Sequence, residues 1–242
     1  MQTARLLAGL RAEGERLVDA ARIDLNASVS ACPGWNVADV LGHLGRVYWS
    51  IHDIVVQQAQ EPPTTPVPKP PPGPEVIDFF VDAHRALLES LGSAAPATPV
   101  YTWSDDRTVA FYQRRMVHET TVHRIDVERA VGRPITAVDA DLAADGIDEL
   151  VSVVLPFGLA RASAPSLPVG SLHLHRTDGD GEWTLAVIDG VVQVGHVHAK
   201  ATAALRGPAS DLFIFVWNRG GSALLECFGD ESVAAAWSAL AP

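Results

Sequence analysis

Apolar positions recur at helical spacing through the first half of the chain. Over residues 3–22, Leu6, Leu7, Leu10, Leu17, Val18 and Ala21 fall on one side of a predicted helix. Pro33-Gly34 breaks the chain. A second helix then opens at Asn36-Val37-Ala38-Asp39, with Asn36 as N-cap and Asp39 reaching back from the third helical position. Val37, Val40, Leu41, Leu44, Val47, Ile51, Ile54 and Val55 carry its period onward. Residues 75–92 predict a third helix with Val76, Phe79, Phe80, Ala83 and Leu87 on its inner side. A fourth spans 107–131 and stops at Gly132-Arg133-Pro134. Residues 61–74 hold eight prolines, which excludes helix and favours an extended connector. Because helical patterning resumes at once, this stretch joins two helices of one unit, and the four helices form a bundle.

Beyond residue 138 the period changes. One more apolar helix is predicted over 140–155, followed by alternating segments at 172–177, 182–188 and 191–197. Asp178-Gly179-Asp180-Gly181 and Asp189-Gly190 between them are hairpin signals. A strand at 201–207, a helix at 210–218, a strand at 222–228 and a helix at 231–240 complete the series. The expected fold is α+β in two domains: a helical bundle over 1–138 and an α+β domain over 139–242 with a mostly antiparallel sheet.

Length and charge narrow the partners. At 242 residues and 48% apolar composition the chain can bury a core in each half. A net charge of −11 with no basic cluster argues against nucleic acid. No apolar run approaches the roughly 20 residues of a membrane span. The charged N-terminal segment is unlike a signal peptide. The two cysteines, Cys32 and Cys227, form no framework, so a reduced, cytoplasmic protein is expected, as monomer or small homo-oligomer.

Nine histidines invite a search for metal ligands. A helix turns about 100° per residue. On the fourth helix His123 lies within the inward stripe of Val109, Tyr112, Met116, Thr120, Val127 and Ala130, and Glu119 sits one turn earlier at its edge. His118 falls on the opposite side, so the string His118-Glu119-Thr120-Thr121-Val122-His123 only imitates the H-E-x-x-H zinc motif. On the second helix His43 borders the inward stripe, whereas His52 points away. Two imidazoles and a carboxylate with an open fourth position suit a catalytic divalent ion, zinc or a similar borderline metal. The plainer alternative stays open: an inward histidine hydrogen-bonded in the core, and Glu119 paired with Arg115 one turn before it. Asp126, near both ligands on the helix surface, either orients one of them or pairs elsewhere in the bundle. Sheet alternation places His173 and His175 on the face opposite His196 and His198, which argues against a four-histidine site. Cys32 has no base or resolving partner visible in the sequence and is expected to be inert.

The segment from Cys32-Pro33-Gly34-Trp35 to Gly42-His43-Leu44 resembles the first signature of the mycothiol-dependent maleylpyruvate isomerase family. Arg115 to Glu128, containing His118-Glu119-Thr120-Thr121-Val122-His123, resembles the second. Leu205-Arg206-Gly207-Pro208 and Val216-Trp217-Asn218-Arg219 are similar to the family's later half. The resemblance implies a DinB-like four-helix bundle followed by a sterol-carrier-like domain. It also implies a divalent metal, usually zinc, at the positions of His43, Glu119 and His123, and mycothiol approaching that metal as a thiolate. An arginine late in the second domain is implicated at the active site of relatives, and Arg219 holds that position. A helix-ending arginine before Gly220-Gly221 is the plainer account of it.

The expected function is a metal- and mycothiol-dependent isomerase or S-transferase whose thiolate adds to a small electrophile. The alternatives are a binding protein for an apolar small molecule with a vestigial metal site, and a metal-dependent hydrolase.

Overall fold

The computed structural model describes residues 1–64, 66–163 and 166–242; residue 65 of the proline-rich connector lies outside the described residues. The chain divides into two compact units, Met1–Thr136 and Ala137–Pro242.

The first unit is a bundle of α1 (Thr3–Ala21), α2 (Val37–Gln57), α3 (Glu75–Ser93) and α4 (Val109–Ala130). α1 packs along α4, and α2 along α3. α2 begins with the expected reciprocal cap: Asp39 N donates to Asn36 Oδ1 at 3.0 Å, and Asn36 N donates to Asp39 Oδ2 at 2.9 Å. Its stripe of Val37, Val40, Leu41, Leu44, Ile51 and Ile54 is buried. The connector crosses α2 where there is room for it, because a methyl on Gly42 would crowd the Pro70 ring.

α4 departs from a one-faced amphipathic helix. Val117, His118, Thr121, Arg124, Ile125 and Glu128 are buried together with the inward stripe. Its charges are therefore paired inside the bundle. Arg124 donates from Nε to Glu13 at 2.8 Å and from Nη1 to Glu128 at 2.7 Å. Glu128 in turn accepts from the Thr136 backbone N–H and hydroxyl.

The second unit opens with α5 (Ala140–Glu149), which continues through a π-helical turn (Leu150–Val154) into α6 (Leu155–Arg161). The helix thus runs past the predicted end at residue 155. Pro156, which has no N–H to give a 3.6-residue turn, directly follows the widened register. Then come β1 (Leu172–Arg176), β2 (Glu182–Ile188), β3 (Val191–Gly195), β4 (Ala203–Gly207), α7 (Ala209–Val216), β5 (Glu226–Gly229) and α8 (Glu231–Ser238). Sheet order is β3-β2-β1-β4-β5, and β1–β4 is the parallel pair in an otherwise antiparallel sheet. α7 and α8 cover β1 and β4. Leu172, Leu174, Trp183, Leu185, Ala203 and Leu205 are buried on the strands. Four strands are shorter than predicted: β1 ends at Arg176, β3 ends at Gly195, β4 starts at Ala203, and a short 3-10 turn over Ser222–Leu224 precedes β5. Among the described residues no helix is long and apolar enough to cross a membrane.

Candidate metal centre

α2 and α4 bring His43, Glu119 and His123 together. Glu119 Oε1 lies 3.3 Å from His43 Nε2 and 3.5 Å from His123 Nε2. One ligand atom from each of the three can be chosen so that all lie within 4.8 Å of one another. A tetrahedral ion with bonds of about 2.0–2.1 Å holds its ligands about 3.3 Å apart, so this donor set fits zinc or a similar divalent ion with a fourth position left over.

Two of the three donors are held from behind. His123 Nδ1 lies 3.1 Å from Asp126 Oδ2, which turns Nε2 toward Glu119. Arg115, one turn before Glu119, binds the other carboxylate oxygen. Glu119 therefore faces the imidazoles and an arginine at once, and the pairing with Arg115 does not exclude the cluster. One turn along, Tyr48 Oη meets Thr120 Oγ1 at 2.5 Å and ties α2 to α4 beside the site.

The electrostatics follow from these contacts. Burial works against the Glu119 carboxylate. Arg115 and hydrogen bonds from His123 and His43 more than offset it, so its pKa lies well below the ordinary carboxylate range. Burial likewise disfavours a charged His123, but Asp126, Cys32 and Glu119 outweigh burial and lift its pKa well above the usual imidazole value.

Two neighbours were not legible as site residues. Cys32 is not isolated: its sulfur and donor atoms of His123 and Asp126 all lie within 4.8 Å of one another, a second close group of donors. The expectation that no base stands beside this cysteine is thereby corrected. The cause is the loop of residues 27–37, where Val29 N–H donates to Trp35 O, Trp35 N–H to Cys32 O and Val37 N–H to Ala27 O. This loop folds Cys32 back over α4. The same loop sets the Trp35 ring 5.1 Å from the His43 ring and stacks it 6.5 Å from that of His123. The available signal was the Cys-Pro-Gly-Trp run immediately before a capped helix.

The other histidines go elsewhere. His118 is fully buried outside the cluster. His52 Nδ1 faces Ala86 O at 3.1 Å. Arg219, in the second unit, is buried and donates from Nη1 to the carbonyl oxygens of Trp217 and Pro242.

Comparison with known proteins gives the chain its relatives. The family model described as mycothiol maleylpyruvate isomerase N-terminal domain matches residues 4–128, and that family's C-terminal domain model matches residues 141–236. A crystal structure of the mycothiol-dependent maleylpyruvate isomerase is similar in fold, with a TM-score of 0.58 at 11% identity over 94% of this chain and 93% of that one. A point mutant of the mycothiol-dependent maleylpyruvate isomerase gives a TM-score of 0.59 at 10% identity and the same coverage. No curated protein matches the chain in sequence. With both domain models matched in order along nearly the whole chain, the protein belongs to the mycothiol maleylpyruvate isomerase family.

Proposed function

We propose that the protein is a divalent-metal, mycothiol-dependent enzyme, an isomerase or S-transferase acting on a small electrophile. The observation that carries this is the convergence of His43, Glu119 and His123 from two helices onto a space that three ligands leave incomplete. Family membership supplies the thiol. A divalent ion there, zinc by donor type, would lower a bound thiol's pKa from about 8.5 into the range where thiolate dominates at neutral pH.

The chain's own residues have assignable parts. His43 and His123 would each offer Nε2 to the ion, and Glu119 a carboxylate oxygen. Asp126 is a positioning residue that fixes the His123 ring through Nδ1. Arg115 keeps Glu119 ionised and oriented. Trp35 is an apolar wall against both imidazoles. Arg219 is proposed as a carboxylate-binding residue of the second unit, since a guanidinium binds that group in a bidentate manner. Its part rests on the family resemblance. Retention of metal with a raised KM in Arg219→Ala would support it, and loss of fold in both Arg219→Ala and Arg219→Lys would show a structural role instead.

A second reading has one observation behind it. Val151, Leu155, Leu172, Leu185, Val216 and Trp237 line a narrow apolar pocket in the second unit, the feature from which a binder of small apolar molecules would be argued. Metal analysis with a thiol assay separates the two. An ion lost in His43→Ala and His123→Ala, with turnover of maleylpyruvate or another electrophile only when mycothiol is added, supports the enzyme. Free thiol recovered at the end marks an isomerase, and thiol consumed marks a transferase. Protein that is folded and active with no ion at this site, or turnover without thiol, would overturn the proposal.

A further inference from the structure

The second unit holds another cluster of metal-type donors, on the sheet face opposite α7 and α8. His173 and His175 alternate with the buried Leu172 and Leu174 on β1, and so point to that other face. On β2, Glu182 pairs directly across from His175, and Thr184 from His173. Continued alternation along β3 would carry His196 and His198 to the helix-covered face. His196 obeys it and meets Asp148 of α5 at 3.4 Å. His198 does not. The ladder ends at Gly195, whose carbonyl accepts from Thr184 Oγ1 at 3.2 Å, and the chain then swings over. As a result His198 Nδ1 lies 3.0 Å from Glu182 Oε1. The expectation that His173 and His175 stand apart from His198 is thereby corrected.

Three imidazoles now surround one carboxylate. Glu182 Oε1 faces His175 Nδ1 at 2.7 Å and His198 Nδ1 at 3.0 Å, while Oε2 lies 3.6 Å from His173 Nε2. One ligand atom from each of the four residues can be chosen so that all lie within 4.8 Å of one another. The rings stand edge to face, with His173 and His198 centroids 5.0 Å apart. A hydrogen-bonded trio around Glu182 explains His175 and His198. It does not explain His173, whose side chain is 5% exposed and whose Nε2, turned into the cluster, has no hydrogen-bond partner. A buried imidazole nitrogen left unsatisfied is destabilising. A cation would satisfy it and would use the other two rings as well.

We propose that His173, His175, Glu182 and His198 bind a second divalent ion of zinc type. Three nitrogens and one oxygen are borderline donors. Four protein ligands fill a tetrahedron, so this ion is structural and holds no substrate position. It ties the segment following β3 to β1 and β2. The site is separate from His43, Glu119 and His123 and does not depend on their function.

Zinc uptake by the untagged full-length chain, stripped with chelator and followed by calorimetry and elemental analysis, tests this. His198 is 76% exposed and His175 35% exposed at their side chains, so the double variant His175→Ala/His198→Ala keeps the sheet core intact. The expected result is loss of one zinc equivalent in that variant, and loss of a different equivalent in Glu119→Gln. Cobalt loaded into Glu119→Gln should still give the visible spectrum of a tetrahedral ion. Uptake unchanged in His175→Ala/His198→Ala would overturn the site. So would an equal loss in His196→Ala, since that histidine faces elsewhere and its effect would mark adventitious surface binding. Should the wild-type chain bind a single equivalent, its loss in His175→Ala/His198→Ala supports this site against the one in the bundle. Its loss in Glu119→Gln alone overturns this site.

Discussion

At the scale of single residues, the hydrogen bond behind a metal ligand is the most testable feature of the first unit. His123 Nδ1 faces Asp126, and Asp126 is itself buried. An asparagine there keeps the shape but offers a weaker acceptor, and it allows the ring to flip. Loss of such support typically costs about 10–100-fold in metal affinity or activity. Asp126→Asn should therefore weaken zinc by about that factor in a chelator competition while the far-ultraviolet circular dichroism stays the same. Unchanged affinity would assign Asp126 to packing. The ligands themselves are legible in the sequence, because i, i+4 spacing puts Glu119 and His123 on one side of α4 whatever surrounds that helix. Cys32 and Trp35 are not, because their positions depend on backbone hydrogen bonds within a loop, which have no period. His198 is misplaced by sequence patterning for a related reason. Its side follows from alternation only along a continuous strand, and β3 stops three residues earlier, at Gly195.

At the scale of elements, α2 and α4 illustrate when patterning works. α2 shows polar residues to solvent and carries a reciprocal cap, so its start and its inner face can be read from the sequence. α4 is buried nearly all round, and polarity no longer marks an outer face. The Arg124 side chain is fully buried against Glu13 of α1 and Glu128. Removing one partner from such a group strands the others, at a cost of about 3–5 kcal/mol. Arg124→Met should lower the stability of the first unit by that order in denaturant unfolding. Adding Glu13→Gln and Glu128→Gln should restore part of it, and additive losses would refute the coupling. On α3, His84 reaches Leu10 O on α1 at 3.0 Å and stacks on Phe80. Burial pulls its pKa below the usual value against the opposing hydrogen bond to Leu10. The unfolded chain titrates near 6.5, so just below that pH it binds a proton that the native state does not. The stability from a neutral His84 is therefore complete above about pH 6.5 and declines as pH falls. The stability gap between wild type and His84→Gln should narrow between about pH 7 and pH 5. A gap constant over that interval would mean that the buried ring is not neutral.

At the scale of the whole molecule, two units with separate cores give each ion a local thermodynamic effect. A ligand that binds only the native state stabilises it by RT ln(1 + [L]/Kd), about 4 kcal/mol at a thousandfold excess over Kd. For units of this size each kcal/mol moves a midpoint by a few degrees, so a saturating ion should raise its own unit's transition by about 10–20 °C. A single unfolding free energy for the full chain is then not well defined, and the transitions must be followed separately. The helical bundle dominates far-ultraviolet circular dichroism at the helix bands. Trp183, Trp217 and Trp237 report on the second unit once Trp35, Trp49 and Trp103 are replaced by phenylalanine. In that background zinc should raise the midpoints seen by both probes. Glu119→Gln should cancel the rise in the helical signal and leave the fluorescence shift in place, and His175→Ala/His198→Ala should do the reverse. If either substitution cancels both shifts, the two units do not unfold independently, and the metal-linked stability belongs to the chain as a whole. If zinc moves neither midpoint in the unsubstituted ligand background, neither donor cluster binds the ion tightly enough to matter for folding.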